Sequence, residues 1–305
     1  MTTYMIRRIF QAFLVLLGAV TFAFFITRVT GDPAKLMLPE EANQEAIDHF
    51  RKQHGLDQPV YIQYGRYLLQ LASGDLGDSI RQQVPVSQLI LERFPATLKL
   101  TLVALLISIL ISFPLGIFIA LHRNSVWDLL GTTFALIGQV TPSFWTGLML
   151  VLIFGVFLRV LPISGSDTWK HMILPSVTLS FFVTGRLTRL VRSGMLEVMG
   201  AEYIRTARAK GLLERTVIWV HALKNASTAV VTMLGLEFAG LLGGALIIET
   251  IFAWPGVGRL VINAVLQRDF PIVQGVVLIS ALIFVIVNLI VDLLYSVLDP
   301  RITYK

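Results

Sequence analysis

There is no cysteine in the 305 residues, which removes disulfide scaffolds, thiolate metal sites and cysteine nucleophiles at once. Charge is scarce as well. Asp, Glu, Lys and Arg make up 14% of the chain, against about a quarter in soluble domains. Several chemical signatures are also missing. No lysine is followed by Ser or Thr, so the phosphate loop G-x-x-x-x-G-K-[ST] cannot occur and the chain cannot cradle ATP phosphates in that way. Neither H-E-x-x-H nor the G-x-S-x-G elbow is present, which leaves a membrane-embedded hydrolase without a visible nucleophile or metal constellation. What fills the chain instead is apolar: 55% hydrophobic residues and a mean hydropathy of +0.74 identify a polytopic membrane protein. The net charge of +6 sits beside apolar runs, where it sets topology by the positive-inside rule and does not point to nucleic acid.

Six apolar runs are candidate spans. Ile9–Ile26 follows Arg7 and Arg8 and is longer than a signal-peptide core of about 7–15 residues, so it reads as an uncleaved span. Leu98–Leu121 contains Pro114, a candidate kink. Leu129–Leu158 exceeds the roughly 20 residues a bilayer requires, and Gln139, Thr141 and Pro142 interrupt it; tilt, a break or an extracytoplasmic extension would each absorb the excess. Ala229–Ala253 and Val273–Leu298 are further spans. Ile173–Val191 is the weakest, because Arg186 and Arg189 fall inside it. Parity settles its reading: only if it spans, with both arginines snorkelling to the interface, do all the basic short segments share one side. The expectation is six spans with both termini cytoplasmic.

That arrangement places residues 30–95 outside, as an insert with structure of its own. Glu41–His54 carries its acids early and Arg51 and Lys52 late, in accord with the helix dipole, and Gly55 follows as a C-cap. Val60, Tyr64, Tyr67, Leu68 and Leu71 recur at helical spacing, the pattern of an amphipathic helix at the membrane surface or of a small packed insert. Of the acids within the spans, Glu237 is a candidate group of the translocation pathway or a partner for a neighbouring helix. Glu249 and Asp292 stand near span ends, where structural pairing or hydration is expected.

The densest charge lies between Arg186 and Asn225, around Gly211. Glu197–Lys210 and Leu213–Leu223 both have helical character, and Gly211 can take the left-handed conformation that reverses the chain. On the first helix, Tyr203, Ala207 and Lys210 share a face, and Ala201, Arg205 and Ala209 lie around another. Alanines permit close approach, and the basic side chains offer charge-assisted hydrogen bonds. The combination reads as a docking element; its charge alone would also serve as a membrane anchor on lipid headgroups.

Thr206-Ala207-Arg208-Ala209-Lys210-Gly211, followed by His221, Ala222, Leu223, Lys224 and Asn225, resembles the EAA loop of ABC-importer permeases. More narrowly, the chain is similar to the dipeptide/oligopeptide/nickel permease family, in the subunit type with a long first extracytoplasmic loop. Gly31-Asp32-Pro33, Leu56-Asp57-Gln58-Pro59, Gly74-Asp75-Leu76-Gly77, Trp254-Pro255-Gly256-Val257-Gly258-Arg259, Arg268-Asp269-Phe270-Pro271 and Asp299-Pro300-Arg301 agree with it. Arg205, His221 and Lys224 depart from the general pattern, where Glu, Ile and Pro are typical, in the manner of the peptide branch.

The resemblance implies an all-α membrane protein with the type I ABC-importer permease fold. Residues 1–29 would form the cytoplasmic N-terminus and first span, 30–95 the extracytoplasmic insert, 96–298 the permease core with a coupling loop at 192–225, and 299–305 a cytoplasmic tail. It implies an inner-membrane transport subunit and no enzyme, with no cofactor of its own. ATP and Mg would be held by two partner ATPase subunits or domains. A second homologous permease and an extracytoplasmic solute-binding protein would complete the assembly. The coupling residues would be Tyr203, Arg205, Thr206, Ala207, Arg208, Ala209, Lys210, Gly211, Leu212, His221 and Asn225. Small peptides are the expected cargo, with glutathione, nickel chelates and oligosaccharides among the family's other substrates. An ATP-independent secondary transporter or channel is the rival reading, in which this loop would be only an anchor.

Overall fold

The computed structural model describes residues 2–29, 34–35, 38, 42–53 and 55–298. The motifs at Gly31 and Asp299, the ends Glu41 and His54 of the first insert helix, and the tail 299–305 therefore lie outside the described residues. Helices dominate, and no strand occurs among the described residues. In chain order they are α1 (Thr2–Val29), α2 (Gln44–Gln53), α3 (Val60–Ala72), α4 (Val86–Leu121), α5 (Val126–Val140), α6 (Ser143–Leu150), α7 (Ile173–Met199), α8 (Glu202–Ala209), α9 (Leu223–Ile251), α10 (Val257–Leu266) and α11 (Phe270–Leu298).

Three of these helices, α1, α4 and α11, are long and apolar enough to cross a bilayer, and five spans result if each bent pair counts as one. α4 starts well before Leu98 and runs through Pro114 as one helix. At 1.5 Å per residue its 36 residues reach about 54 Å, longer than a hydrocarbon core of about 30 Å. The long third apolar run is broken where the sequence interrupts it. α5 ends at Val140, Thr141 and Pro142 take extended backbone, and α6 with its π-helical continuation Val151–Phe157 leaves at 104°. A proline supplies no N–H to continue the ladder, which accounts for the break. α7 is long enough to span but is less apolar than α1, α4 and α11, since Arg186, Arg189 and Arg192 all lie within it.

The chain divides into two compact units. One holds Met1–Ala96 and Pro255–Ile286. Here the insert packs as the helical pattern anticipates, but its tyrosine face is covered by α1. Phe24, 1% exposed, lies between the rings of Tyr64 and Tyr67 at 5.1 and 5.5 Å, and the hydroxyls of Thr21 and Tyr64 stand 2.6 Å apart. Gly55 has φ +63° and ends α2, as its composition suggests. The first turns of α4 meet α10 and α11 in a core of Val86, Leu89, Ile90, Leu260, Ile272 and Val276.

Two motifs that sequence reading leaves without a role are tied together in this unit. Asp269, 1% exposed, accepts hydrogen bonds from Ser79 Oγ at 2.6 Å and from the backbone N–H groups of Arg81 and Ile80 at 3.2 and 3.3 Å. Gly77 turns with φ +77°, and its carbonyl accepts from Val86 N at the start of α4. The carboxylate between α10 and α11 thus pins the loop that follows the Gly74–Gly77 motif.

The second unit, Thr97–Trp254 with residues 287–298 among those described, is built around α7. α7 packs against α5, α6 and α9, and Leu187, Val191 and Met195 are among its buried residues. Its contact with α5 is a backbone-to-backbone approach. A Cβ on Gly185 would collide with the Ala135 carbonyl oxygen, and one on Gly138 would stand 2.9 Å from the Phe181 carbonyl. Glycine is required at both positions by that proximity. Glu249 is fully buried and accepts a hydrogen bond from Thr97 Oγ1 at 2.6 Å, a structural pairing of the kind expected near a span end.

Candidate functional site

The Gly138–Gly185 crossing determines what lies one turn further along α7. Three arginines, Arg186, Arg189 and Arg192, recur every three residues and so face one side of the helix. They line a cavity of about 540 Å³ together with Thr132, Gln139 and Met233. Arg192 makes a two-pronged pair with Asp128, Nε to Oδ1 at 2.6 Å and Nη2 to Oδ2 at 2.7 Å. Arg186 Nη1 lies 3.0 Å from Glu237 Oε1, an ion pair without the alignment of a hydrogen bond. Arg189 Nη1 donates to Gln139 Oε1 at 2.7 Å.

Arg186 and Arg189, expected to snorkel to the interface, each find a polar partner on a neighbouring helix. Both are exposed in the lining of the cavity, where Arg189 meets Gln139, and Arg186 pairs with Glu237, which lies outside that lining. Glu237, a pathway or pairing group by sequence, is 6% exposed and pairs with a neighbouring helix. Burial of a carboxylate is tolerated because the guanidinium stands beside it. The arginine spacing was visible in sequence; their partners, 50 to 64 residues away, were not.

The second feature is the hairpin joining α7 to α9. Sequence periodicity runs one helix from Glu197 to Lys210, but the chain breaks at Gly200 and Ala201. Gly200 ends α7, and Ala201 takes extended backbone with ψ 149° before α8 begins. A glycine in a helix interior costs about 1 kcal/mol relative to alanine, so this is the weakest point of the run. α8 carries Glu202 in its first turn and Arg208 in its last, matching its dipole.

Gly211 closes α8 with φ +77°. Its N–H donates to the Arg208 carbonyl at 2.9 Å, and Leu212 N–H reaches back to the Ala207 carbonyl at 3.4 Å. This is the Schellman pattern, which needs a left-handed residue at that position. Across the turn, Arg208 grips Glu214 through Nε and Nη2 at 3.1 and 2.6 Å, and the guanidinium holds the Glu214 carboxyl below its ordinary range. The chain then enters α9 through a short turn at Glu214–Thr216 and a π-helical segment, Val217–Ala222.

Of the expected coupling residues, Arg205, Thr206, Arg208, Ala209, Lys210, Gly211 and Leu212 are exposed, as is Tyr203. Ala207 is the exception. With Ile204 it turns inward, 7% and 0% exposed, where α8 packs on the π-helical segment and its buried Val217 and Ala222. Ala207 therefore packs the hairpin onto its own chain. Tyr203 and Asn225 are brought together: Asn225 Nδ2 donates to Tyr203 Oη at 2.9 Å and to the His221 carbonyl at 3.2 Å. His221 contributes its backbone, and its ring is half-buried. Glu237 stands apart from this group, twelve residues along α9 from Asn225, or about 18 Å at helical rise.

Comparison with known proteins gives these features a context. Residues 112–304 match the family described as "Binding-protein-dependent transport system inner membrane component", and residues 1–101 match its N-terminal family. The chain is 42% identical over its full length, and the relative's, to the glutathione transport system permease protein GsiC of Salmonella paratyphi A. It is 40% identical, again over both full lengths, to GsiC of Escherichia coli K12. Among solved structures it is similar in fold to a chain of the MetNI methionine ABC transporter in an inward-facing conformation. That likeness has a TM-score of 0.60 and 15% identity, and covers 70% of this chain and 97% of the other. On the end-to-end match, the chain belongs to the binding-protein-dependent transport system inner membrane components and is a permease subunit of an ABC importer.

Proposed function

We propose that the chain forms half of a translocation pathway for small peptides, glutathione among them, and couples it to partner ATPases through the α8–Gly211 hairpin. The observation that carries this reading is connectivity. The hairpin joins α7 to α9, the two helices that face each other through the Arg186–Glu237 pair. It is fastened to its own chain by Ile204, Ala207 and the Tyr203–Asn225 bond, while Arg205, Thr206, Ala209, Lys210 and Leu212 point outward. A push on this exposed knob is transmitted to both helices that wall the cavity, which is the requirement for rigid-body switching between two states.

In this reading the six spans are α1, α4, the broken α5–α6 pair, α7, α9 and α11. Both termini and the hairpin face the cytoplasm, and the insert faces outward. A second homologous permease completes the pathway. Two ATPases bind ATP and Mg against the hairpins, and a solute-binding protein delivers peptide from outside. The full-length relatives named for glutathione support a peptide cargo, since glutathione is itself a tripeptide.

The test is uptake of labelled glutathione by proteoliposomes containing the chain with its partner permease, ATPases and binding protein. Accumulation is expected only with ATP on the ATPase side and binding protein on the other. ATP-independent accumulation in vesicles holding this chain alone would favour a secondary transporter or channel and overturn the proposal.

A further inference from the structure

The three arginines of the cavity are not equivalent. Arg192 is matched by the Asp128 carboxylate and Arg186 by Glu237. Arg189 is held at 2.7 Å by Gln139, whose amide oxygen is neutral. Three cations face two carboxylates, so the wall carries one positive charge in excess, and it resides at Arg189. Ionisable residues within spans face a bundle interior or a water-filled cavity and mark substrate pathways, and Arg189, exposed on the cavity side of α7, fits the second case. Simple neutralisation would have needed only Glu at position 139.

The chemistry of the excess charge specifies a ligand. A guanidinium offers a planar fork of donors that matches a carboxylate, and a single bond to Gln139 leaves most of that fork unused. The cavity, about 540 Å³, falls within the range of about 300–1,000 Å³ typical of small-ligand sites. Met233 and the stem of Leu190 supply apolar wall beside the charged one. We propose that Arg189 is a specificity-determining contact that receives a free carboxylate of the peptide during passage, with Gln139 holding the guanidinium in place until then. This rests on the importer reading above and names the substrate class it favours: peptides carrying an unblocked carboxylate. Arg186 and Arg192, each already neutralised, keep α7 registered against α9 and α5.

The decisive variant is Gln139→Glu. It preserves the contact with Arg189 and strengthens it, so a structural role for the pair predicts no loss. The proposal predicts that a resident carboxylate occupies the site, so glutathione taken up per ATP hydrolysed falls about tenfold or more, the worth of one charge-assisted hydrogen bond. Measurement is in proteoliposomes holding the complete transporter and its binding protein. Arg189→Gln should show the same fall, and Arg189→Lys, which keeps the charge but loses the fork, should fall measurably less than Arg189→Gln. Wild-type coupling in Gln139→Glu overturns the proposal. Should that variant fail to assemble, equal transport by Arg189→Gln and Arg189→Lys overturns it instead. Failure of the importer reading is distinguishable, because the wild-type complex would then show no ATP-driven glutathione uptake at all, and both proposals would fall.

Discussion

Replacing Gly211 by asparagine, alanine and valine in turn separates two costs that a single substitution would mix. The residue sits at φ +77°, where both hydrogen bonds of its turn depend on a left-handed backbone. A Cβ built there meets nothing within 4 Å, so within this chain the penalty is conformational and not steric. That penalty is roughly 1–2 kcal/mol for an ordinary L-residue, smaller for asparagine, and at the upper end or beyond for a β-branched side chain. A cost of 1–2 kcal/mol shifts the ratio of native to altered turn by a factor of about 5–30. If ATPase docking requires the native turn, apparent affinity for the ATPase should fall by the same factor for alanine. Asparagine should lie close to wild type, and valine should be weakest, because its bulk also projects into the open space a partner would occupy. The assay is titration of fluorescently labelled ATPase onto permease in detergent, with glutathione uptake measured in parallel. Asparagine as damaging as valine, or all three variants binding as wild type, would refute the conformational argument.

Other perturbations test different parts of the structure. Asp269→Ala removes the acceptor for one buried hydroxyl and two backbone N–H groups, and should lower stability by about 2–5 kcal/mol in thermal unfolding of the detergent-solubilised protein. Gly185→Ala drives a methyl group into the Ala135 carbonyl, an overpacking worth about 1–3 kcal/mol, and should also reduce uptake by moving Gln139 away from Arg189. For the Arg208–Glu214 clasp the sign follows from the depressed Glu214 carboxyl: its contribution is present above the ordinary glutamate range and lost as pH falls through the lower folded value. Proteolytic protection of the hairpin should therefore be unchanged by Glu214→Gln at acidic pH and modestly reduced by it at neutral pH, as an exposed pair contributes little. Because the chain has no cysteine, Gln44→Cys and Leu213→Cys can be probed singly with an impermeant thiol reagent in intact cells; Gln44→Cys should label and Leu213→Cys should not.

The apolar runs and the left-handed turn at Gly211 were legible because each is a local property, of hydropathy or a missing Cβ; the break at Pro142 was one of three ways to absorb the long third run, and the missing N–H makes it the one adopted. Periodicity failed at Gly200, where one glycine divides α7 from α8, and at Ala207, whose small side chain serves its own fold as readily as a partner's. The arginine ladder of α7 was readable as charge in a span, but its partners were not. Only close packing at Gly138 and Gly185 brings Gln139 to Arg189, and nothing in the local sequence encodes that crossing. The same holds for Asp269, whose partners lie nearly 190 residues earlier.

The central claim, that the α8–Gly211 hairpin is where partner ATPases engage this permease, is tested most directly by cross-linking from Ala209→Cys. Ala209 is exposed on the hairpin, its replacement by cysteine is nearly isosteric, and this chain has no other thiol. With the assembled transporter in proteoliposomes, a short bifunctional reagent should join this cysteine to an ATPase subunit, with a yield that changes between nucleotide-free and ATP-bound states. Cross-linking to lipid alone, or none to an ATPase in either state while a control cysteine elsewhere on the permease reacts with one, would contradict it.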